Sequence, residues 1–351
     1  MNLPKSHELP VPVHFAGGRA GEVWRVPYAA RAAEAPVWAK KHGLKSADKD
    51  SIRVCLLAID IQNTFCIPGH ELFVGGHSGK AAMEDTARLC DFVYRHLGII
   101  TDIIPTMDTH HLMQIFHPVF WVDQQGYHPL PAQTIISVDD VKSGKWRVNP
   151  ALARSLAHGD YEGLQRFALH YVERLQESGK YPLMVWPYHA MLGGIGHALV
   201  SLFEEAVFFH GVVRNSQPRI ELKGERPLTE NYSALAPEVL DDEKGKPVAC
   251  RNQPLIDKVL SYDAVIIAGQ AKSHCVAWTI EDLLGEMLKR NPQLTPKIYL
   301  LEDCTSPVVV PGGIDFTKQA DQAFQRFAEA GMHLVKSTDP ITKWPNFPLE
   351  A

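Results

Sequence analysis

Two hydrophobic periodicities alternate along the chain from Ile52 onward. Short runs rich in Val, Ile and Leu occur at 54–59, 99–106, 220–222, 265–268, 297–301 and 333–335, and those at 54–59 and 265–268 are apolar at every position. Such runs are what strands covered on both faces require, because neither side of the pleat meets water. Between them lie stretches with apolar residues every three or four positions, the mark of one buried helical stripe. Residues 81–97 carry Met83, Ala87, Leu89, Cys90, Phe92 and Val93; residues 198–209 and 317–330 follow the same rule. Beyond Cys275 the stripe is Val276, Ile280, Leu283, Leu284, Met287 and Leu288. The alternation predicts an α/β fold: a doubly wound, mostly parallel sheet of about six strands with helices on both faces.

Two segments stand outside this rhythm. Residues 1–50 hold Gly17-Gly18, Gly21, Trp24 and Trp38. A disordered tail has little use for tryptophan, so this part is expected to be an extension packed on the core. Residues 51–351 then form a single domain. It is interrupted at about 118–185, where one strand near 134–138 and one helix near 161–177 are expected. Loops of that length are usually functional, and Trp121, Tyr127 and Trp146 are costly to leave in water. The insertion is therefore expected to cover a site or to build a subunit interface in a homo-oligomer.

The balance of residues narrows the function. A net charge of −5 with no basic cluster argues against a nucleic-acid partner. No apolar run reaches the ~20 residues needed to span a bilayer, and the first residues lack a signal-peptide core. Six cysteines without a Cys-x-x-Cys pair point to a reduced, cytoplasmic protein.

Doubly wound sheets bind ligands beyond the carboxyl ends of their strands, and reactive side chains cluster at those ends. Cys275 follows the strand at 265–268 through the turn Gly269-Gln270-Ala271-Lys272-Ser273-His274. There the first N–H groups of a helix lower a thiol pKa and offer donors to an oxyanion; otherwise Cys275 is a buried structural cysteine. Asp60 closes the first strand, as a turn former or as a general base beside a thiol. Lys223 ends the strand at 220–222, as a solvated lysine or as the cation that holds a carboxylate ionised. Asp108 and His110 lie two apart on the same side of an extended chain, as solvated polar residues or as metal ligands. His189 follows Trp186-Pro187-Tyr188, and spacing alone does not join it to Asp108.

Taken in order, these pieces resemble the nicotinamidase branch of the isochorismatase-like cysteine hydrolases over residues 52–117 and 184–340. The motifs are Asp60-Ile61-Gln62-Asn63-Thr64-Phe65, Thr106-Met107-Asp108-Thr109-His110, and Trp186-Pro187-Tyr188-His189 followed by Gly193-Gly194-Ile195-Gly196. After them come Lys223-Gly224 with Tyr232-Ser233, and Gly269-Gln270-Ala271-Lys272-Ser273-His274-Cys275-Val276. Thr64, Ala190, Ile195 and Gln270 depart from the family pattern; none is in the motifs' reactive positions.

The resemblance implies a triad of Asp60, Lys223 and Cys275, with an oxyanion held by the N–H groups of Ala271 and Cys275 and a cis Gln270–Ala271 peptide. It implies metal ligands Asp108, His110 and His189 for one divalent ion, with zinc expected and iron or manganese also fitting. His117 is a candidate fourth ligand, and His111 is left out. Phe65, Trp186 and Tyr232 are expected to line a pocket for the ring of a small-molecule amide. The implied activity is hydrolysis of nicotinamide or a related aromatic amide through a thioester. The competing readings are a metal-free amidase acting on a carbamoyl or ureido compound, and a catalytically silent scaffold.

Overall fold

The computed structural model describes residues 8–310 and 312–349. Its centre is a six-stranded sheet made of β1 (Val54–Ile59), β2 (Asp102–Asp108), β3 (Glu221–Lys223), β4 (Ala264–Gly269), β5 (Ile298–Leu301) and β6 (His333–Val335). All neighbours run parallel, in the order β6-β5-β4-β1-β2-β3. This is the doubly wound α/β architecture that the alternation predicts.

The uniform apolar character of β1 follows from its position between two layers. Leu56 and Ala58 join a core with Leu89, Phe92 and Val93 of α2 (Ala81–Arg95) and Phe203 and Ala206 of α4 (Ser201–Arg214). Cys55, Leu57 and Ile59 face the other way, onto α5 (Gln253–Leu260), α6 (Ala277–Arg290) and α7 (Thr317–Glu329). Each strand residue is thus removed from water whichever way its side chain points.

Before the sheet, α1 (Tyr28–His42) packs along α4, a helix that the composition of residues 1–50 does not announce. Pro36 sits within it and its apolar stripe is weak, so contacts with α4 must hold it. Arg31 pairs with buried Glu205 at 2.8 Å, and Ser201 bonds the Trp24 backbone in both directions. Trp24 and Trp38 pack against the core. Residues 1–7 lie outside the described residues.

The segment at 118–185 holds more structure than expected. Besides the helix α3 (Tyr161–Ser178) it contains two-residue ladders pairing Trp121–Val122 with Arg147–Val148 and Ile135–Ile136 with Leu183–Met184. Short helices cover Val138–Lys142 and Ala153–Ala157. Elements of two to five residues carry no measurable period, which is why the pattern hides them. They enclose a core of their own around Phe120, Trp121, Phe167, Tyr171 and Trp186.

Two histidines stitched into the main core give the fold a pH signature. His210 donates to the Ile100 carbonyl at 2.9 Å and His96 to the Phe92 carbonyl at 2.8 Å, and burial lowers both imidazoles to about 4. An unfolded histidine takes up its proton near 6.5, so stability is complete above that pH and falls as the pH drops toward 4. The expected slope in this window is about 1.4 kcal/mol per pH unit for each histidine. Urea unfolding across the window measures it, and His210→Gln, which keeps a side-chain N–H for Ile100, lowers the slope by the share of one histidine.

Candidate active site

The parallel register brings the strand ends together. Asp108 closes β2 opposite Lys223, which closes β3; Ile59, before Asp60, lies opposite Gly269, which closes β4. Gly269 has φ +124°, and a Cβ there would fall 2.0 Å from the Ile59 carbonyl oxygen, so only glycine allows β1 and β4 to approach this closely. The Gln270–Ala271 peptide that follows is cis. The chain then makes a wide π-type turn at Lys272–Val276 before α6 begins, and Cys275 stands in that turn.

Lys223 is the hub. Its Nζ lies 3.0 Å from Asp60 Oδ2, and it donates to Asp108 Oδ1 at 2.9 Å, to the Asn231 carbonyl at 2.7 Å and to Cys275 Sγ at 3.6 Å. Burial works against its charge, yet the carboxylates of Asp108 and Asp60 hold its pKa well above that of a free lysine. Burial, with the charge of Asp108, raises the Asp60 carboxyl against the pull of Lys223. The Cys275 thiol is also pushed up, by burial first and then by Asp60 and Asp108. This corrects the expectation of a thiol acidified by its helix terminus: desolvation and two carboxylates outweigh the backbone donors. The resting sulfur is a neutral thiol beside a carboxyl of raised basicity.

Two uncharged side chains fix the carboxylates. Thr106 donates to Asp60 Oδ1 at 2.5 Å while accepting from the Asp60 N–H at 3.1 Å. Gln62 accepts the Asp108 N–H and donates to the Asp108 carbonyl, both at 2.8 Å, as a neighbouring strand would. Both lie inside the sequence motifs, but neither charge nor spacing signals these roles.

Beside Asp60, Lys223 and Cys275, His110 and His189 each donate Nδ1–H to a backbone carbonyl, of Gly224 (3.2 Å) and Pro187 (2.7 Å). Their Nε2 atoms are thereby turned toward Asp108 Oδ2, at 2.8 and 3.5 Å. One ligand atom from each of the three residues lies within 4.8 Å of the others, and all three residues are buried. Such carbonyl-oriented imidazoles are how proteins set a histidine tautomer for a metal. Gly224 completes the cradle: a Cβ there would lie 2.7 Å from His110 Cε1 and 2.9 Å from Asp108 Oδ1. A divalent ion fits this donor set. His117 is not one of the three residues whose ligand atoms gather here, though its ring packs edge-on against those of His110 and His189. His111 is exposed.

A cavity of about 290 Å³ opens onto these groups, with Cys275, Ala271, Asp108 and His189 in its wall. Phe65, Trp186 and Tyr232 line it as expected, and Trp186 Nε1 donates to the Tyr232 hydroxyl at 2.9 Å. Three contributors were not legible in the sequence. His274, next to Cys275, lines the cavity with an imidazole that burial lowers to about 3. Tyr181, in the inserted segment, supports the wall from behind: it donates to the Ser273 carbonyl at 2.9 Å and packs on His274. Glu230 also lines the cavity, its carboxyl raised to about 8 by burial and then by Asp108. Its only signal is its place between Lys223 and Tyr232.

No protein-family model and no curated protein matches the sequence. Among solved structures, the chain is similar to the Acinetobacter baumanii nicotinamidase/pyrazinamidase (19% identity, 83% of this chain and 99% of that one, TM-score 0.47). It is also similar to the yeast nicotinamidase Pnc1p bound to nicotinaldehyde (17% identity, 81% and 99%, TM-score 0.48). A third likeness is to N-carbamoylsarcosine amidase from Thermoplasma acidophilum (14% identity, 82% and 98%, TM-score 0.38).

The charge arrangement has a direct energetic consequence. Lys223→Met leaves Asp60 and Asp108 facing each other without a cation in a dry site, and is expected to destabilise the fold by roughly 3–5 kcal/mol. Denaturant unfolding measures this; a solvated lysine would be silent.

Proposed function

We propose that the protein is a cysteine amidohydrolase of the nicotinamidase branch, cleaving nicotinamide or a related aromatic amide to the acid and ammonia. The observation that carries this reading is the position of the Lys223 ammonium, 3.0 Å from the Asp60 carboxylate and 3.6 Å from the sulfur of Cys275, a residue that stands in the wall of an aromatic cavity.

In this reading Asp60 takes the Cys275 proton as the sulfur attacks the amide carbonyl. Matching the raised Asp60 carboxyl to a raised thiol makes that transfer feasible without a standing thiolate. The N–H groups of Ala271 and Cys275 receive the oxyanion. The C–N bond then breaks, Asp60 returns its proton to the departing nitrogen, and ammonia leaves a thioester on Cys275. Asp60 next removes a proton from water, whose oxygen attacks the thioester carbonyl; the acid departs and Asp60 reprotonates the sulfur. Lys223 keeps charge balanced through both halves, and Thr106 holds Asp60 in line. Asp108, His110 and His189 would hold the divalent ion, which when bound supplies a Lewis-acidic anchor for a ring nitrogen. Phe65, Trp186 and Tyr232 confine the ring, so orientation does much of the work. The bond from Tyr181 to the Ser273 carbonyl supports a role for the 118–185 segment as a cover over the nucleophile turn.

Cys275→Ala is expected to fold normally and release no ammonia from nicotinamide. Intact-mass analysis of quenched wild type should show an acyl adduct that the variant lacks. Turnover by Cys275→Ala would refute the assignment.

Metal content supplies the second test. Wild type is expected to carry about one divalent ion per chain, and His189→Ala to lose it together with nicotinamide turnover. A wild type that binds no metal while hydrolysing carbamoyl or ureido compounds would instead favour the metal-free amidases.

A further inference from the structure

Two loop tripeptides without a polar side chain, Leu72-Phe73-Val74 and Val308-Val309-Val310, line the same cavity as Cys275. Val74 is buried, Leu72, Phe73, Val308 and Val309 are half-buried, and Val310 is exposed. Apolar runs left partly open in loops are a liability for solubility unless something covers them. Here they form part of a concave wall continuous with the candidate active site, the setting in which small molecules bind.

Both tripeptides are fixed to the reactive groups through the backbone. Leu72 N–H donates to the Thr64 carbonyl at 3.2 Å and Val74 N–H to the Phe65 carbonyl at 2.8 Å, so the first adjoins a residue of the aromatic pocket. Val308 N–H donates to Ser273 Oγ at 3.1 Å, and Lys272 N–H to the Ser306 carbonyl at 2.8 Å. Those bonds tie the second tripeptide to the turn that carries Cys275. A ligand that reaches from the sulfur to this wall meets both in a set register.

Volume decides how much ligand fits. An apolar cavity of about 150 Å³ takes up one benzene ring, and this one holds about 290 Å³. A water takes a share of only about 30 Å³. Even beside a hydrated ion, one aromatic ring leaves space for an apolar group approaching a ring in size.

We propose that the substrate is an aromatic amide whose ring carries an apolar substituent of that size, with residues 72–74 and 308–310 as its subsite. This rests on the amidase reading and narrows it, since nicotinamide alone leaves much of the cavity unfilled. The wall adjoins Phe65, so the substituent belongs to the acyl part and not to the departing nitrogen.

The test uses nicotinamides bearing methyl, propyl or phenyl at each free ring carbon in turn, with N-propyl nicotinamide as the control. Calorimetry measures binding to metal-loaded Cys275→Ala, and an ammonia assay follows turnover by wild type. In the isomer that faces the wall, affinity is expected to rise about threefold per methylene. Propyl and phenyl should then bind about tenfold or more tighter than nicotinamide. Val309→Trp, which fills the subsite, should bring that ratio to within about threefold; the ligand series stands without it should the variant not fold. The subsite is overturned if no isomer gains affinity, if the gain survives Val309→Trp, or if N-propyl nicotinamide binds best. Ammonia release from nicotinamide with a flat series would overturn the subsite and keep the amidase reading. Graded binding with ammonia from none of the amides would sink the amidase reading and leave the subsite standing.

Discussion

One ammonium group between two buried carboxylates sets the terms for this structure. Lys223 touches Asp60, Asp108, the Asn231 carbonyl and the Cys275 sulfur, so it joins three strand ends and the turn that carries Cys275. None of these charges is tolerable alone in a dry site, and each is made tolerable by the others. The cluster therefore behaves as a unit. The raised Asp60 carboxyl and raised Cys275 thiol are consequences of the same burial that secures Lys223 as a cation.

The same cluster links Asp60 and Cys275 to the candidate metal ligands. Asp108 presents Oδ1 to Lys223 and Oδ2 to the two imidazoles. The next residue after Lys223, Gly224, supplies the carbonyl that orients His110 and that Gln114 also donates to at 2.6 Å. A change at either centre is thus felt at the other through one carboxylate and one peptide.

Much of this was legible in the sequence, for reasons particular to each element. The strands of the sheet announce themselves because burial on both faces leaves no polar position in Val54–Ile59 or Ala264–Gly269. Asp60, Asp108, Lys223 and Cys275 stand out because charge or sulfur at the end of such a run is chemically conspicuous. Helix α1 was hidden because its stability lies in contacts with α4, not in its own stripe. The inserted ladders were hidden by their shortness. Thr106, Gln62 and Tyr181 act through hydrogen bonds that any polar residue type might have made, and only the fold shows which ones do. The thiol pKa was misjudged because the local helix terminus is readable from sequence while the surrounding desolvation is not.

The outermost strand of the sheet, β3, has a bearing on how the molecule behaves in a crowded solution. It is three residues long, and so is β6 at the opposite border. An open strand border is a template on which other chains can polymerise, and brevity together with an inward-pointing charge is the usual safeguard. Here the inward charge is Lys223 itself. The residue at the centre of the proposed chemistry also makes its strand a poor seed for intermolecular pairing, so the demands of that chemistry and of colloidal stability fall on a single side chain.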